Sequence, residues 1–92
     1  MTVITDEPFD QNLKKIVRFI ATDSENRARA FHVNLRKGLE SLDNFPFKYR
    51  QSIHYNDPKI RDFIFKGYTI PYLVDEVQDR IVVLDIFKWT ER

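Results

Sequence analysis

The sequence predicts an α+β fold, and three observations predict it. Two amphipathic helical patterns fill the first half, three runs rich in β-branched and aromatic residues fill the second, and punctuation is sparse. With 92 residues the chain has length for one domain, spanning residues 1–92. Only 2 Gly and 4 Pro leave little room for a linker, and neither an internal repeat nor a shift in composition divides the chain. The expected order is β-α-α-β-β-β, a short N-terminal strand followed by an antiparallel helical hairpin packed on one face of a C-terminal antiparallel β-meander.

Thr2 to Ile4 is a candidate first strand, because Val3 and Ile4 are β-branched. Asp6-Glu7-Pro8 suits a helix start: acids favour the first turn, and proline is tolerated where its missing N–H costs nothing. From there Phe9, Leu13, Ile16, Val17 and Ile20 fall at steps of three and four, with Gln11, Lys14, Lys15 and Arg18 on the other face. Asp23 and Ser24 break the run and can cap a second helix. Its stripe is Ala28, Phe31, Leu35, Leu39 and Leu42, and it should run from about Glu25 to Asn44, where Pro46 forbids continuation. Two such helices with so short a link form a hairpin, and neither can bury its stripe alone.

Phe45 to Pro58 reads as irregular. The three strands that follow are Ile60–Phe65, Tyr68–Val74 and Ile81–Phe87. Lys66-Gly67 joins the first two as a tight turn, and Asp75 to Asp79 joins the second pair as a longer loop. Pro71 has no amide to donate, so it should sit at an edge, a bulge or a site where the ladder makes no bond.

Composition removes several function classes. With 0 cysteines, disulfides and thiolate metal sites are excluded. The N-terminal stretch MTVITDEPFDQ has neither a basic n-region nor an apolar h-region, and no apolar run approaches the roughly 18 residues of a membrane span, so a cytoplasmic protein is expected. His32 and His54 lie in unlike contexts, which argues against a shared metal, and no cofactor motif is present. The formal net charge of +1 offers no general attraction to polyanions. Lys48, Arg50, Lys59, Arg61 and Lys66 make one stretch mildly basic, against Asp57 and Asp62. Phe63, Phe65, Tyr68, Tyr72 and Phe87 are mainly core candidates, whereas Trp89, between Lys88 and Thr90, is a candidate surface anchor.

Several segments taken together resemble the RelE/ParE toxins of type II toxin–antitoxin pairs. They are Leu42-Asp43-Asn44-Phe45-Pro46 followed by Tyr49-Arg50, and Ile60-Arg61-Asp62-Phe63 running into KGYTIPYLVDE from Lys66 to Glu76. The closing RIVVLDIFKWTER, from Arg80 to Arg92, completes the set. The resemblance covers nearly the whole chain and implies growth inhibition held in check by a cognate antitoxin. That antitoxin is expected on the outer helix surface and part of the sheet, including the basic residues near the C-terminus. Operator DNA would be reached only through it.

The departures from the pattern choose within the family. Ribosome-dependent nucleases of this kind usually carry an arginine directly after the Gly-Tyr of the hairpin, where this chain has Thr69. Others place a histidine near the end of the last strand or a tyrosine in the tail, but here the strand ends Phe87-Lys88-Trp89 and no tyrosine follows Tyr72. The resemblance therefore points to ParE-like poisoning of DNA gyrase rather than to an enzyme. Arg61, Lys66, Lys88, Trp89 and Arg92 are the expected target-binding residues. Two alternatives remain, an mRNA interferase using Arg50, Arg61 and Lys88, and a non-toxic member that supports repression of its own operon.

Overall fold

A computed structural model describes residues 1–88. Strand β1 is Thr2–Thr5, helices α1 and α2 are Glu7–Asp23 and Glu25–Ser41, and strands β2 to β5 are Ile60–Phe65, Tyr68–Asp75, Arg80–Val83 and Phe87–Lys88. The α+β order expected from sequence is present, with one strand split in two.

The hairpin is joined by one residue. Ser24 donates its backbone N–H to the Ile20 carbonyl at 2.9 Å, closing α1. Its hydroxyl accepts from the Arg27 N–H at 3.2 Å, opening α2. Its own dihedrals are extended (φ −159°, ψ 119°), so the chain reverses without a loop. At the other end of α1, the Asp6 carboxylate accepts from the Glu7 N–H. Helix α2 stops at Ser41 rather than Asn44. There the Ser41 hydroxyl donates to the Gly38 carbonyl at 2.6 Å, and the Leu42 and Asn44 amides bond to the carbonyls three residues back. The last turn tightens before Pro46 is reached.

The sheet runs β1-β4-β3-β2. β2, β3 and β4 form the expected antiparallel meander, and β1 adds in parallel to β4. Ile70, Tyr72, Val74, Ile81 and Val83 point toward the helices, where they join Phe9, Phe31, Leu35 and Leu39 in one buried cluster. Phe31 meets Phe65 and Tyr68 edge-on, with ring centroids 5.4 Å and 5.6 Å away, which anchors α2 to the sheet.

Pro71 sits in β3, the second strand from the β2 edge, and the structure shows how it is tolerated. It faces Asp62 across β2, but the Asp62 amide turns outward to the Arg50 carbonyl, so Pro71's nitrogen faces the opposite side. On that side three residues, Leu84, Asp85 and Ile86, stand against two, Ile70 and Pro71. This is a bulge, one of the sites proposed for Pro71 from sequence. It divides the expected Ile81–Phe87 strand into β4 and β5. Asp85 fixes it, accepting from its neighbour Ile86 N–H at 2.8 Å and from Asn12 Nδ2 of α1 at 2.7 Å.

Gly38 has a packing role. A Cβ there would stand 2.8 Å from Cζ of the buried Phe63 ring. Helix propensity alone favours Gly38→Ala by about 0.5–1 kcal/mol, yet overpacking a close-fitted core costs about 1–3 kcal/mol. The variant is expected to be net destabilised by about 1 kcal/mol. A urea midpoint equal to or above that of the wild type would show that Phe63 simply moves aside.

Candidate functional site

Those residues nominated from sequence that the structure describes fall into two groups at opposite ends of the sheet. Arg61 stands opposite Tyr72 and Lys88 opposite Tyr68. Those positions are four residues apart along β3, about 13 Å at the usual strand rise.

Arg61 is committed to its own chain. Its Nε donates to the Pro58 carbonyl and its Nη1 to the Tyr49 carbonyl, each at 3.1 Å. Its guanidinium also lies 5.0 Å from the Phe47 ring centroid. It ties the Phe45–Pro58 segment to β2. Arg50 has Nη2 3.6 Å from Oδ2 of Asp62, whose side chain is fully buried although it lies in an apolar run. The Ile53 amide reaches the same oxygen at 3.4 Å, and Oδ1 has no partner among the described residues. An unpaired buried carboxylate is costly, so Arg50 serves first to neutralise Asp62. The sequence offers Asp62 as an acid opposing the basic stretch and as part of the Ile60–Phe63 segment, with no role in pairing Arg50. The available signal was its place between Ile60 and Phe63.

The same segment covers a sheet edge. Ser52 N–H donates to Ile60 O at 2.7 Å and Asp62 N–H to Arg50 O at 3.1 Å, so Gln51 bridges Arg61 as a one-residue strand. Tyr72 pins it from below, its hydroxyl donating to the Pro46 carbonyl at 2.6 Å. The opposite edge, β1, has no such cover among the described residues. The Thr2 and Asp6 amides point inward to Asp79 O and Val83 O, which turns the backbone groups of Val3 and Thr5 outward. Beside that edge lies a groove of about 350 Å³ between β1, α1 and α2. Val3, Phe9, Leu13, Leu35 and Leu39 supply its apolar lining, with Asp10, Arg36 and Glu40 among the polar residues.

At the other end Lys66 and Lys88 flank one aromatic cluster. The Lys66 ammonium is 5.8 Å from the Phe65 ring centroid and the Lys88 ammonium 5.2 Å from that of Tyr68. Trp89 and Arg92 lie outside the described residues. Thr69 is fully buried. It stands opposite Ile64 and Phe87, on the sheet face away from the helices. His54 belongs to that face also, packing edge-on against Phe87 at 4.9 Å. No group of His, Cys, Asp and Glu among the described residues is arranged to hold a metal, and no helix there is long and apolar enough to cross a membrane.

The sequence of residues 3–91 matches the family described as the ParE toxin of the type II toxin–antitoxin system parDE. The chain belongs to the ParE toxin family. Its fold is that of a solved chain from the chromosomal ParDE toxin–antitoxin system of P. aeruginosa, with a TM-score of 0.76. The likeness covers 98% of this chain and 97% of that one at 13% identity, so it bears on fold alone. No curated protein matches the sequence. Membership agrees with the ParE-like reading of the hairpin motif.

Burial first, then the nearby Tyr49 and Asp62, push the Tyr72 hydroxyl well above its ordinary pKa of 10.0, with Arg61 opposing them. Above about pH 10 the folded state therefore holds a proton that the unfolded chain has lost. The stabilisation is complete below about pH 10 and is lost as pH rises beyond it. Tyr72→Phe is expected to cost about 1 kcal/mol near neutral pH through the lost hydrogen bond, and to flatten the alkaline decline. Urea midpoints for both proteins between about pH 8 and 11 check this. Parallel declines would assign the alkaline loss to other groups.

Proposed function

We propose that this ParE-family chain is the toxin half of a pair, that it arrests growth by interfering with the cleavage–religation cycle of DNA gyrase, and that a cognate antitoxin holds it inactive. The observation that carries the target is the disposition of the nuclease candidates. RNA cleavage needs a base near the 2′-hydroxyl and cations around one phosphate. Arg61 and Lys88 leave the sheet on the helix side and about 13 Å apart along β3, and Arg50 is paired with buried Asp62. The Thr69 position, where nuclease relatives carry arginine, faces the other side and is sealed. These groups form no common constellation, which favours a binding toxin over an mRNA interferase.

The antitoxin reading is supported by the groove beside β1. An open sheet edge next to a trough lined by both apolar and charged residues suits a partner that supplies backbone hydrogen bonds together with apolar and polar side chains. This extends the expected antitoxin footprint on the helices and the sheet. A net charge of +1 leaves operator contact to the antitoxin.

The deciding experiment induces the chain without its antitoxin and follows thymidine and methionine incorporation over the same minutes, with purified gyrase assayed in parallel for supercoiling and for trapped cleaved DNA. The expected result is that DNA synthesis falls first and that gyrase accumulates cleaved DNA. A prior fall in protein synthesis with cut mRNA would replace gyrase by the ribosome. Unimpaired growth would leave the non-toxic, operon-regulating role.

A further inference from the structure

At the end of the helical hairpin remote from the β1 groove, Ile20 of α1, Arg27, Ala30 and Phe31 of α2, and Lys66 of the β2–β3 turn enclose a cleft of about 220 Å³. Pockets that hold small-molecule ligands are usually about 300–1,000 Å³, so this one has the size of a socket for a side chain. Its floor is apolar and its charged members are both cations. The acid near them, Asp23, pairs with Arg27 at 2.6 Å, but both side chains are more than 70% exposed. An exposed pair of this kind is worth about 0–1 kcal/mol and yields readily to a competing carboxylate. Lys66 is held at the rim by backbone geometry, since it occupies the left-handed region (φ 49°) directly before Gly67 (φ 85°), and its ammonium stands over Phe65. Lys88, over the neighbouring Tyr68, adds a third cation to the same end. Phe19, 76% exposed, precedes Ile20 on α1.

We infer that this cleft is a recognition socket of the toxin, taking a segment of the target protein that presents an apolar side chain and a carboxylate side by side. The apolar group rests on Ile20, Ala30 and Phe31, and the carboxylate lies between Arg27 and Lys66. Charge complementarity selects the occupant: two cations around an apolar floor disfavour a basic or purely apolar segment. The inference rests on the toxin reading above and deepens it, because it adds Arg27 and the hairpin end of both helices to Lys66 and Lys88.

The chemistry is tested without any target, by titrating the isotope-labelled full chain with 4-phenylbutyrate and with its neutral amide and following backbone amide shifts. Saturable shifts are expected at Ile20, Ala30, Phe31 and Lys66, weaker with the amide. Arg27→Gln combined with Lys66→Asn should reduce affinity for the acid at least about fivefold. Asparagine tolerates the left-handed conformation at residue 66, so the fold is kept, and an unchanged thermal midpoint verifies that. Lys14→Gln with Lys37→Gln removes equal charge elsewhere on the helices and should change nothing. Shifts that centre on another surface, or affinity indifferent to the Arg27 and Lys66 changes, would overturn the socket.

The occupant is tested with purified gyrase on immobilised toxin, where the same double variant should weaken binding at least about tenfold. Gyrase binding retained by the variant, or antitoxin binding lost in its place, overturns the assignment to the target. If the wild-type chain does not bind gyrase, the gyrase reading falls, and the titration still decides the socket.

Discussion

A proline in the interior of a sheet removes one ladder donor, and in this protein much of the C-terminal half is arranged around that missing N–H at Pro71. The strand facing it spends three residues against two, and the extra residue reverses the parity of everything after it. Ile81 and Val83 point at the helices. A continuous strand would then send Asp85 and Phe87 inward, but after the bulge Ile86 is the buried residue. Phe87 is turned to the far face against His54, and Lys88 stands over Tyr68 on the helix side. A one-residue change of register exchanges faces completely. Lys88, one of the two cations that flank the aromatic cluster, owes its position to a proline on another strand.

How much of this was legible follows the range of the interaction. The Ser24 break is local: a cap residue between two apolar periodicities announces itself, and its double use follows from short-range hydrogen bonds. The Tyr68–Phe65 hairpin was equally plain, since its turn and both flanking patterns are contiguous. The end of α2 was overestimated by three residues because Pro46 marks only the outer limit of a helix. Ser41 and the i→i+3 bonds close it earlier. Strand β1 could be proposed but not placed, because four residues carry no register information about a parallel partner some eighty positions away.

For the candidate site, residue type alone misled in a specific way. Arg50 and Arg61 look like free cations in the sequence, but each is engaged by a group that linear reading does not bring near it. Arg61 serves two carbonyls of the Phe45–Pro58 segment, and Arg50 serves a carboxylate sealed under that segment. A long irregular stretch has its own backbone groups to satisfy, and Arg61 of the adjoining strand is spent on that task. Lys66 lies beside a tight turn and Lys88 on a short last strand, each with its ammonium beside an aromatic ring. Arg27 stands at the same end because the one-residue link brings the start of α2 there.

The two surfaces occupy successive stretches of one helix, residues 27–31 and 32–40, and that arrangement constrains any partner that covers both. Leu39 lines the groove beside β1 and Arg27 lines the cleft at the hairpin end. Twelve residues of α2 separate them, about 18 Å at 1.5 Å per residue. A compact ligand seated in the groove would leave the cations uncovered. A partner that blocks both must run along α2, needing about twelve residues if helical and about six if extended, and must carry its acidic groups at the end that reaches Arg27 and Lys66. An elongated segment, apolar where it meets Leu35 and Leu39 and acidic where it meets the turn, meets both demands with one chain. The polarity of the surface thus fixes the direction in which such a segment lies.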